Sequence, residues 1–289
     1  MFDCYNFPDY ELIDFGDNEK LERFGEYILI RPERAALGRT SFENSKWLNM
    51  AHARFEATGK TSGVWEKLKA IPDEWQLKCP LKDEDSILSF KLCLTQFKHI
   101  GMFPEHASNW NFVADCVSEM PDGAKVLNLF AYTGGGSLAA CSAGAKVTHV
   151  DSIKQVVKWG SDNMRLSHLD DIRWIVEDAL LFVKREVKRG NKYHGVIMDP
   201  PTWGRGPKGE HWKLDEQLDV LLDETSKLLE DEFFAVVNTY SDLSTGILDA
   251  TIREFYNAGE VETKELCVQS VDGRSLPLGC TSRILLKAR

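Results

Sequence analysis

Val126-Leu127-Asn128-Leu129-Phe130-Ala131-Tyr132-Thr133-Gly134-Gly135-Gly136 is the stretch on which the fold turns. A short apolar run of strand formers passes into a glycine-rich turn. Behind it, Ser137-Leu138-Ala139-Ala140-Cys141 reads as the start of a helix. A strand, a tight turn and a helix N-terminus make a seat for a nucleotide-like ligand. Glycine lets the backbone come close, and the first amides of the helix point outward as donors.

Working outward, the chain beyond residue 120 alternates between buried strands and helices. Strands are expected at Val126–Phe130, Lys146–Asp151, Ile172–Val176, Gly195–Met198 and Phe233–Asn238. Helices are expected between them at Ser137–Ala143, Ile153–Leu166, Ala179–Lys188 and Asp215–Leu229. Apolar runs that alternate with helices imply a mostly parallel sheet covered on both faces. After a helix at Thr251–Ala258 come strands at Glu265–Ser270 and Arg283–Lys287, parted only by the loop Asp272–Gly279. That loop is too short for a crossover helix, so the last strand should run antiparallel to its neighbour.

The first part of the chain reads as strands at Tyr10–Phe15, Tyr27–Arg31, Ala53–Ala57 and Ile87–Phe97, with little helical periodicity. The expectation is a small β-rich domain over residues 1–85, a candidate for substrate recognition. Residues 86–289 then form an α/β domain, entered through a hairpin-like bridge over 86–110.

Composition bounds the answer. Of 289 residues, 43% are hydrophobic and 28% charged, as in an ordinary globular protein. No apolar run approaches the ~20 residues that span a bilayer. Met1-Phe2-Asp3-Cys4 has neither the basic nor the apolar region of a secretion signal. Cysteines 4, 79, 93, 116, 141, 267 and 280 are scattered, with no CxxC pair. The expectation is free thiols in a reducing cytoplasm and no metal site; His99, His194 and His211 also lack ligand spacing. The net charge of −10 opposes a protein that coats nucleic acid by bulk charge. One local segment, Trp203–Lys213, gathers Arg205, Lys208 and Lys213 with Trp203, His211 and Trp212.

Three ligands compete for the glycine turn. A P-loop is excluded, because no Lys follows the glycines. A dinucleotide fits Gly134-Gly135-Gly136-Ser137-Leu138-Ala139 as G-x-G-x-x-A, with Asp151 near the expected ~20-residue distance. Yet Phe130 to Thr133 intervene between strand and first glycine, where a pyrophosphate turn starts at the strand end. S-adenosylmethionine (SAM) fits better, since it uses several strand ends: Asn128 in the first strand, Asp151 after the second, Asp178 with Ala179 after the third, and Asp199 after the fourth. Each Asp also suits a helix N-cap, but three together at strand ends favour a ligand. Asp199-Pro200-Pro201 fixes a rigid turn without backbone donors, whose acceptors suit the amino edge of a planar substrate.

These residues resemble the class I SAM-dependent methyltransferases, and more narrowly the branch of bacterial large-subunit rRNA methyltransferases that modify cytosine C5 or guanine N7. The resemblance is carried by Leu129–Gly135, Asp151, Asp178 and Asp199-Pro200-Pro201. Lys98–Trp110 and Trp47 with Ala51-His52-Ala53-Arg54-Phe55 are similar to upstream elements of that branch. It implies a Rossmann-like α/β core of seven strands, the last antiparallel, behind the β-rich domain. It also implies SAM as cofactor, held by Asn128, Phe130, Tyr132, Thr133, Gly134, Gly136, Asp151, Asp178, Ala179 and Asp199. Phe103 either covers the cofactor or packs in the core, and Glu105 and His106 line the pocket by resemblance only. Asp199 and Pro200 would orient the methyl acceptor.

Enzymes of the branch that make 5-methylcytosine attack the base with a cysteine beside the fourth-strand proline or after strand five. Here those positions read Asp199-Pro200-Pro201-Thr202 and Val237-Asn238-Thr239-Tyr240-Ser241. Cys280 packs as a small apolar group or lies near the mouth. The expected product is therefore a methylated base nitrogen in rRNA. Pro201, Trp203, Arg205, Lys208 and Trp212 are the expected substrate contacts, the two tryptophans either stacking on a base or packing on the protein. A small-molecule methyltransferase, an NAD-dependent oxidoreductase and a non-catalytic RNA-binding module remain alternatives.

Overall fold

The computed structural model of the chain describes all residues except 60, 61, 84, 242, 257, 258, 288 and 289. The chain forms two compact units. One comprises Asp3–Ala107 with Cys267–Leu278, the other Met1–Phe2, Ser108–Leu266 and Gly279–Arg289. The sequence places a boundary near residue 85, but the first unit runs on to Ala107 because a hairpin pairs strands on either side of that point.

The first unit contains β1 (Tyr10–Gly16), β2 (Glu19–Phe24), β3 (Tyr27–Pro32), α1 (Asn44–Met50), β4 (Ala53–Ala57), β5 (Gly63–Lys67), β6 (Glu74–Pro80) and β7 (Ile87–Cys93). β1 to β5 form one sheet in chain order, and β6 and β7 pair separately. β1 and β2 meet at a two-residue turn in which Asp17 and Asn18 take φ of 51° and 64°. Asp and Asn tolerate that left-handed geometry better than most side chains. β3 and β4 run parallel, and such a step needs a crossover, which carries α1. Ile13, Leu21, Ile30, Trp47 and Ala51 close the core of this sheet.

Three strands and a helix of this unit are not legible in the sequence, and β2 shows why. Glu-Lys-Leu-Glu-Arg-Phe looks like a surface run, yet Lys20 and Glu22 are buried. Glu22 takes bonds from Arg31 Nη2 at 2.8 Å and from the Tyr10 hydroxyl at 2.9 Å, with Lys20 Nζ at 3.2 Å. Paired charges go inside where single ones do not. Asp14 is likewise buried, accepting from the Phe42 amide (2.9 Å), Trp47 Nε1 (2.9 Å) and Arg274 Nη2 (2.6 Å).

Cys4 and Cys267 are joined in a disulfide, with Cα atoms 5.7 Å apart. This corrects the expectation of free thiols throughout. The two lie at opposite ends of the chain, and sequence spacing carries no sign of such a pair. Cysteines 79, 93, 116, 141 and 280 are free.

The second unit begins with α2 (Ala107–Ser118), preceded by a 3-10 turn at Pro104–His106. The bridging hairpin expected over 86–110 is thus a strand followed by a helix. Then follow β8 (Lys125–Leu129), α3 (Gly135–Ser142), β9 (Lys146–Asp151), α4 (Lys154–Leu166), β10 (Ile172–Val176), α5 (Ala179–Arg189) and β11 (Tyr193–Met198). β12 (Trp203–Arg205), β13 (His211–Lys213), α6 (Leu214–Ser226), β14 (Leu229–Thr239), α7 (Thr245–Phe255), β15 (Glu260–Gln269) and β16 (Ser275–Leu286) complete the chain. α7 starts six residues before the expected Thr251, and residues 257 and 258 of the expected helix lie outside the described part.

Seven strands form one mixed sheet in the order β10-β9-β8-β11-β14-β16-β15. The strands from β10 to β14 pair in parallel, and β16 runs antiparallel to β14. The core is Leu127, Leu129, Val150, Val196, Met198, Ala235 and Val237 from the strands, packed against Val183, Leu221, Leu222 and Leu248 from the helices. Burial on both faces explains why these strands read as continuous apolar runs. The strand order reverses between β8 and β11, the point at which open α/β sheets bind ligands.

Burial by itself raises the pKa of Glu22, but the Arg31 guanidinium and then Lys20 overcome it and hold the carboxyl at about 2, against 4.5 ordinarily. A depressed folded pKa adds stability above the unfolded value and loses it as pH falls through the folded one. The urea midpoint of unfolding is therefore expected to fall between pH 4.5 and about 2. Glu22→Gln should flatten part of that slope and, by leaving Arg31 buried without its counter-charge, lower stability at neutral pH by about 3 kcal/mol.

Candidate functional site

The chain leaves buried β8 through a strained turn. Phe130 and Tyr132 take φ of 52° and 50°, and Gly134 follows at 94°. Left-handed backbone costs a non-glycine residue about 1–2 kcal/mol, so other contacts must impose it. The Tyr132 amide donates to Asp151 Oδ2 at 2.9 Å, and the Ala131 amide to the Val150 carbonyl at 3.1 Å. Asn163 Nδ2 holds the Thr133 carbonyl at 3.0 Å.

A buried polar chain sits beneath the turn. Asn128 Nδ2 donates to Ser137 Oγ at 3.0 Å, and Ser137 Oγ lies 3.0 Å from His149 Nδ1. Burial drives the His149 pKa down to about 3 against the pull of the Tyr132 backbone, so the imidazole is neutral at physiological pH. Its ring packs on Trp174 with centroids 4.5 Å apart. Asn128, predicted at the cofactor, has its amide engaged in bracing the turn.

Close packing also fixes the glycines. A Cβ on Gly135 would lie 2.4 Å from the Trp110 ring, and one on Gly136 3.2 Å from Asn128 Nδ2. Gly160, in the middle of α4, would meet Trp174 at 2.7 Å. Ser137, His149, Gly160, Asn163 and Trp174 were not identified from the sequence. Only Gly160 left a signal there, as a glycine inside a helical pattern.

Strand registers bring the expected acids to one edge of the sheet. Leu129 pairs with Val150 and with Met198, and Asp151 with Val176. The glycine turn, Asp151, Asp178 and Asp199 therefore all follow the C-terminal ends of adjacent strands. Asp151 accepts from the amides of Tyr132 and Ile153, each at 2.9 Å. Burial raises its pKa, and those amides pull the other way. A carboxylate has about four lone-pair sites, so beside the amides of Ile153, Tyr132 and Ser152 some acceptor capacity remains for a ligand hydroxyl. Asp178 is the N-cap of α5, taking the Leu181 amide at 2.9 Å, and Ala179 behind it is buried. Asp199 is half-buried and accepts from Asn238 Nδ2 at 2.7 Å.

The segment after Asp199 differs from the expected loop. β12 and β13 pair as a hairpin, Trp203 opposite Lys213. Trp212 is buried, its Nε1 donating to the Pro201 carbonyl at 2.6 Å and its ring 4.8 Å from that of Phe130. It pins the hairpin to the proline turn, the packing alternative of the two that the sequence left open for it. The Pro201 carbonyl, expected to face a substrate, is Trp212's acceptor. Trp203 is exposed, with the Arg205 guanidinium 5.6 Å above its ring. Arg205 and Lys208 are exposed as well.

Phe103 belongs to the first unit, where its ring lies between those of His99 and His106 at 5.1 and 6.3 Å. Cys280 is buried, its thiol 3.4 Å from the Leu243 carbonyl and its pKa raised by burial. A thiol in that state is a weak nucleophile. No cluster of His, Cys, Asp or Glu among the described residues is arranged to hold a metal ion, and none of the described helices is long and apolar enough to cross a membrane.

A glycine turn at the switch point and three acids along the same C-terminal edge of a seven-stranded mixed sheet are the arrangement expected of a class I SAM-dependent methyltransferase. SAM suits it on the structure's own terms, because Asp151 keeps acceptor capacity beside the turn. A family model for S-adenosylmethionine-dependent methyltransferases matches residues 66–256. The chain is 37% identical to a SAM-dependent methyltransferase from Agrobacterium tumefaciens, whose crystal structure superposes with a TM-score of 0.89 over 97% of this chain and 91% of that one. It is 28% identical over 300 residues to the ribosomal RNA large subunit methyltransferase K/L of Shewanella baltica (strain OS195), covering 96% of this chain and 38% of that protein. It thus spans well under half of that relative. SMU.776 complexed with SAH shares the fold, at a TM-score of 0.73 and 17% identity over 95% of this chain and 76% of that one. The chain belongs to the SAM-dependent methyltransferase family. Its cofactor is SAM, and the dinucleotide alternative is set aside.

Asp151→Ala is expected to weaken SAM binding at least about tenfold by titration calorimetry, a loss of roughly 1.4 kcal/mol or more. Wild-type affinity in that variant would remove Asp151 from the cofactor site. Gly135→Ala should lower stability by about 2 kcal/mol through overpacking against Trp110, read from its denaturation midpoint.

Proposed function

We propose that this chain methylates a nitrogen of a nucleobase in ribosomal RNA, and so works in the cytoplasm. The observation that carries the proposal is Asp199-Pro200-Pro201 at the end of β11, next to the glycine turn, with the Asp199 carboxylate oriented by Asn238. The activity printed for the Shewanella relative supports the choice of RNA. Neither the β11 end nor the β14 end presents a thiol, and Cys280 is buried with a raised pKa. Cytosine C5 chemistry through a covalent adduct therefore lacks its nucleophile, whereas transfer to nitrogen does not need one.

SAM supplies an electrophilic methyl when bound. Asp151, Asp178 and the turn from Phe130 to Gly136 would hold the cofactor, with Asn128 bracing the turn from beneath. Asp199 and the Pro200 carbonyl accept from the amino edge of the base and line its nitrogen up with the methyl carbon, an alignment worth several orders of magnitude in rate. A base within a duplex must first be turned out of the stack. Trp203 offers it an exposed ring, while Arg205 and Lys208 take phosphates. Recognition of the RNA beyond the base is assigned to the β-rich region over residues 1–85.

The test is mass spectrometry of rRNA nucleosides from cells with and without the gene. One N-methylated nucleoside is expected to vanish, and to return with the wild-type gene but not with Asp199→Ala. Loss of 5-methylcytidine instead would overturn the choice of nitrogen. An unchanged nucleoside profile would overturn rRNA as the substrate and favour a small molecule.

A further inference from the structure

Behind Asp199, the bond from Asn238 is the near end of a longer line of buried polar side chains, whose far members the reaction as described does not use. Asn238 Nδ2 donates to Asp199 Oδ1 at 2.7 Å. Asn238 Oδ1 accepts from Thr281 Oγ1 at 2.6 Å, and Thr281 Oγ1 accepts from Asn109 Nδ2 at 3.4 Å. Asn109 Oδ1 accepts from Arg283 Nε at 3.0 Å. Asn109, Asn238 and Thr281 are 3%, 1% and 0% exposed, so none of them can turn to water for a substitute partner.

The direction of every bond follows from its two ends. A guanidinium only donates, so the Asn109 atom facing Arg283 is oxygen and its amide faces Thr281. The threonine oxygen accepts that amide, and its own hydrogen points at Asn238. A carboxylate accepts, so the Asn238 amide faces Asp199. Flipping either asparagine would break two buried bonds, each leaving a group whose desolvation costs about 1–3 kcal/mol. Arg283 is itself held, with its Nη2 3.1 Å from Ser108 Oγ and its guanidinium over the rings of Phe2 (3.9 Å) and Phe112 (5.1 Å). Bonds arranged head to tail polarise one another.

We propose that Arg283, Asn109, Thr281 and Asn238 form a one-way relay of hydrogen bonds that sets the Asp199 carboxylate for methyl transfer, with Asn238 and Thr281 as its positioning residues. This rests on the reading that Asp199 orients the acceptor base. The cross-strand pair Asn238–Thr281, in register between β14 and β16, makes it possible. The relay fixes which way the carboxylate faces, and a reacting group displaced by about 1 Å loses on the order of a hundredfold in rate.

The experiment uses the full chain with SAM and rRNA from cells lacking the gene. It compares Asp199→Ala, Asn238→Leu, Thr281→Val, Thr281→Ser and the double variant Asp199→Ala/Asn238→Leu. Asn238→Leu and Thr281→Val are expected to lower kcat at least about tenfold, with SAM affinity within threefold of wild type. Thr281→Ser, which keeps the hydroxyl, should recover most of kcat. The double variant should be no slower than Asp199→Ala, because the relay acts only through that carboxylate. Retained SAM affinity certifies the fold of each variant. Should Thr281→Val misfold, Asn238→Leu with the double variant decides. Normal kcat in Asn238→Leu and Thr281→Val, with Asp199→Ala inactive, overturns the relay and leaves the proposed function standing. Normal kcat in Asp199→Ala overturns the reading of the site, and the relay with it.

Discussion

The bond from the Tyr132 amide to Asp151 holds the second unit's site together. It ties the end of β9 to the turn after β8, where two aromatic residues take left-handed backbone. That conformation costs about 1–2 kcal/mol at each, and it persists because Asp151, Asn163 and the Asn128–Ser137–His149 chain oppose its relaxation. One carboxylate thus shapes the turn and faces the space the turn encloses. In the proposed function the same carboxylate that shapes the seat would also bind the cofactor, so the two are one piece of structure.

The sheet adds a second constraint. Parallel strands from β10 to β14 bring all their C-terminal ends to one edge, and this gathers Asp151, Asp178 and Asp199 from distant parts of the sequence. The antiparallel β16 sets Thr281 directly opposite Asn238. A parallel strand at that place would present other residues there, and the polar line from Arg283 to Asp199 would not close. Strand direction therefore bears on chemistry as well as on folding.

Much of this was legible in the residues. Val126–Phe130, Lys146–Asp151 and Ile172–Val176 announced themselves as strands because each is a short run led by Val, Ile and Leu, and the first two bury most of their positions. Asp151, Asp178 and Asp199 were found because polar residues stand out where apolar strands end. The first unit was less legible: β2 carries Lys20 and Glu22 inward, and a buried ion pair looks like a surface run until its partner Arg31 is in view. Trp212 stayed undecided for the converse reason, since a tryptophan among cations suits stacking on a base as well as packing, and only the structure shows its indole held by the Pro201 carbonyl.

By itself the sequence determined the alternation of strand and helix, the glycine turn, the acids at the strand ends and hence the methyl donor, since each is a local pattern set by backbone geometry. Tertiary structure alone decided which side chains brace the turn, which tryptophan is exposed, that Cys4 meets Cys267, and that Arg283 reaches Asp199 through Asn109, Thr281 and Asn238. Those contacts join residues remote in the chain. Their energies depend on burial and on the partner's orientation, and neither exists until the strands have paired.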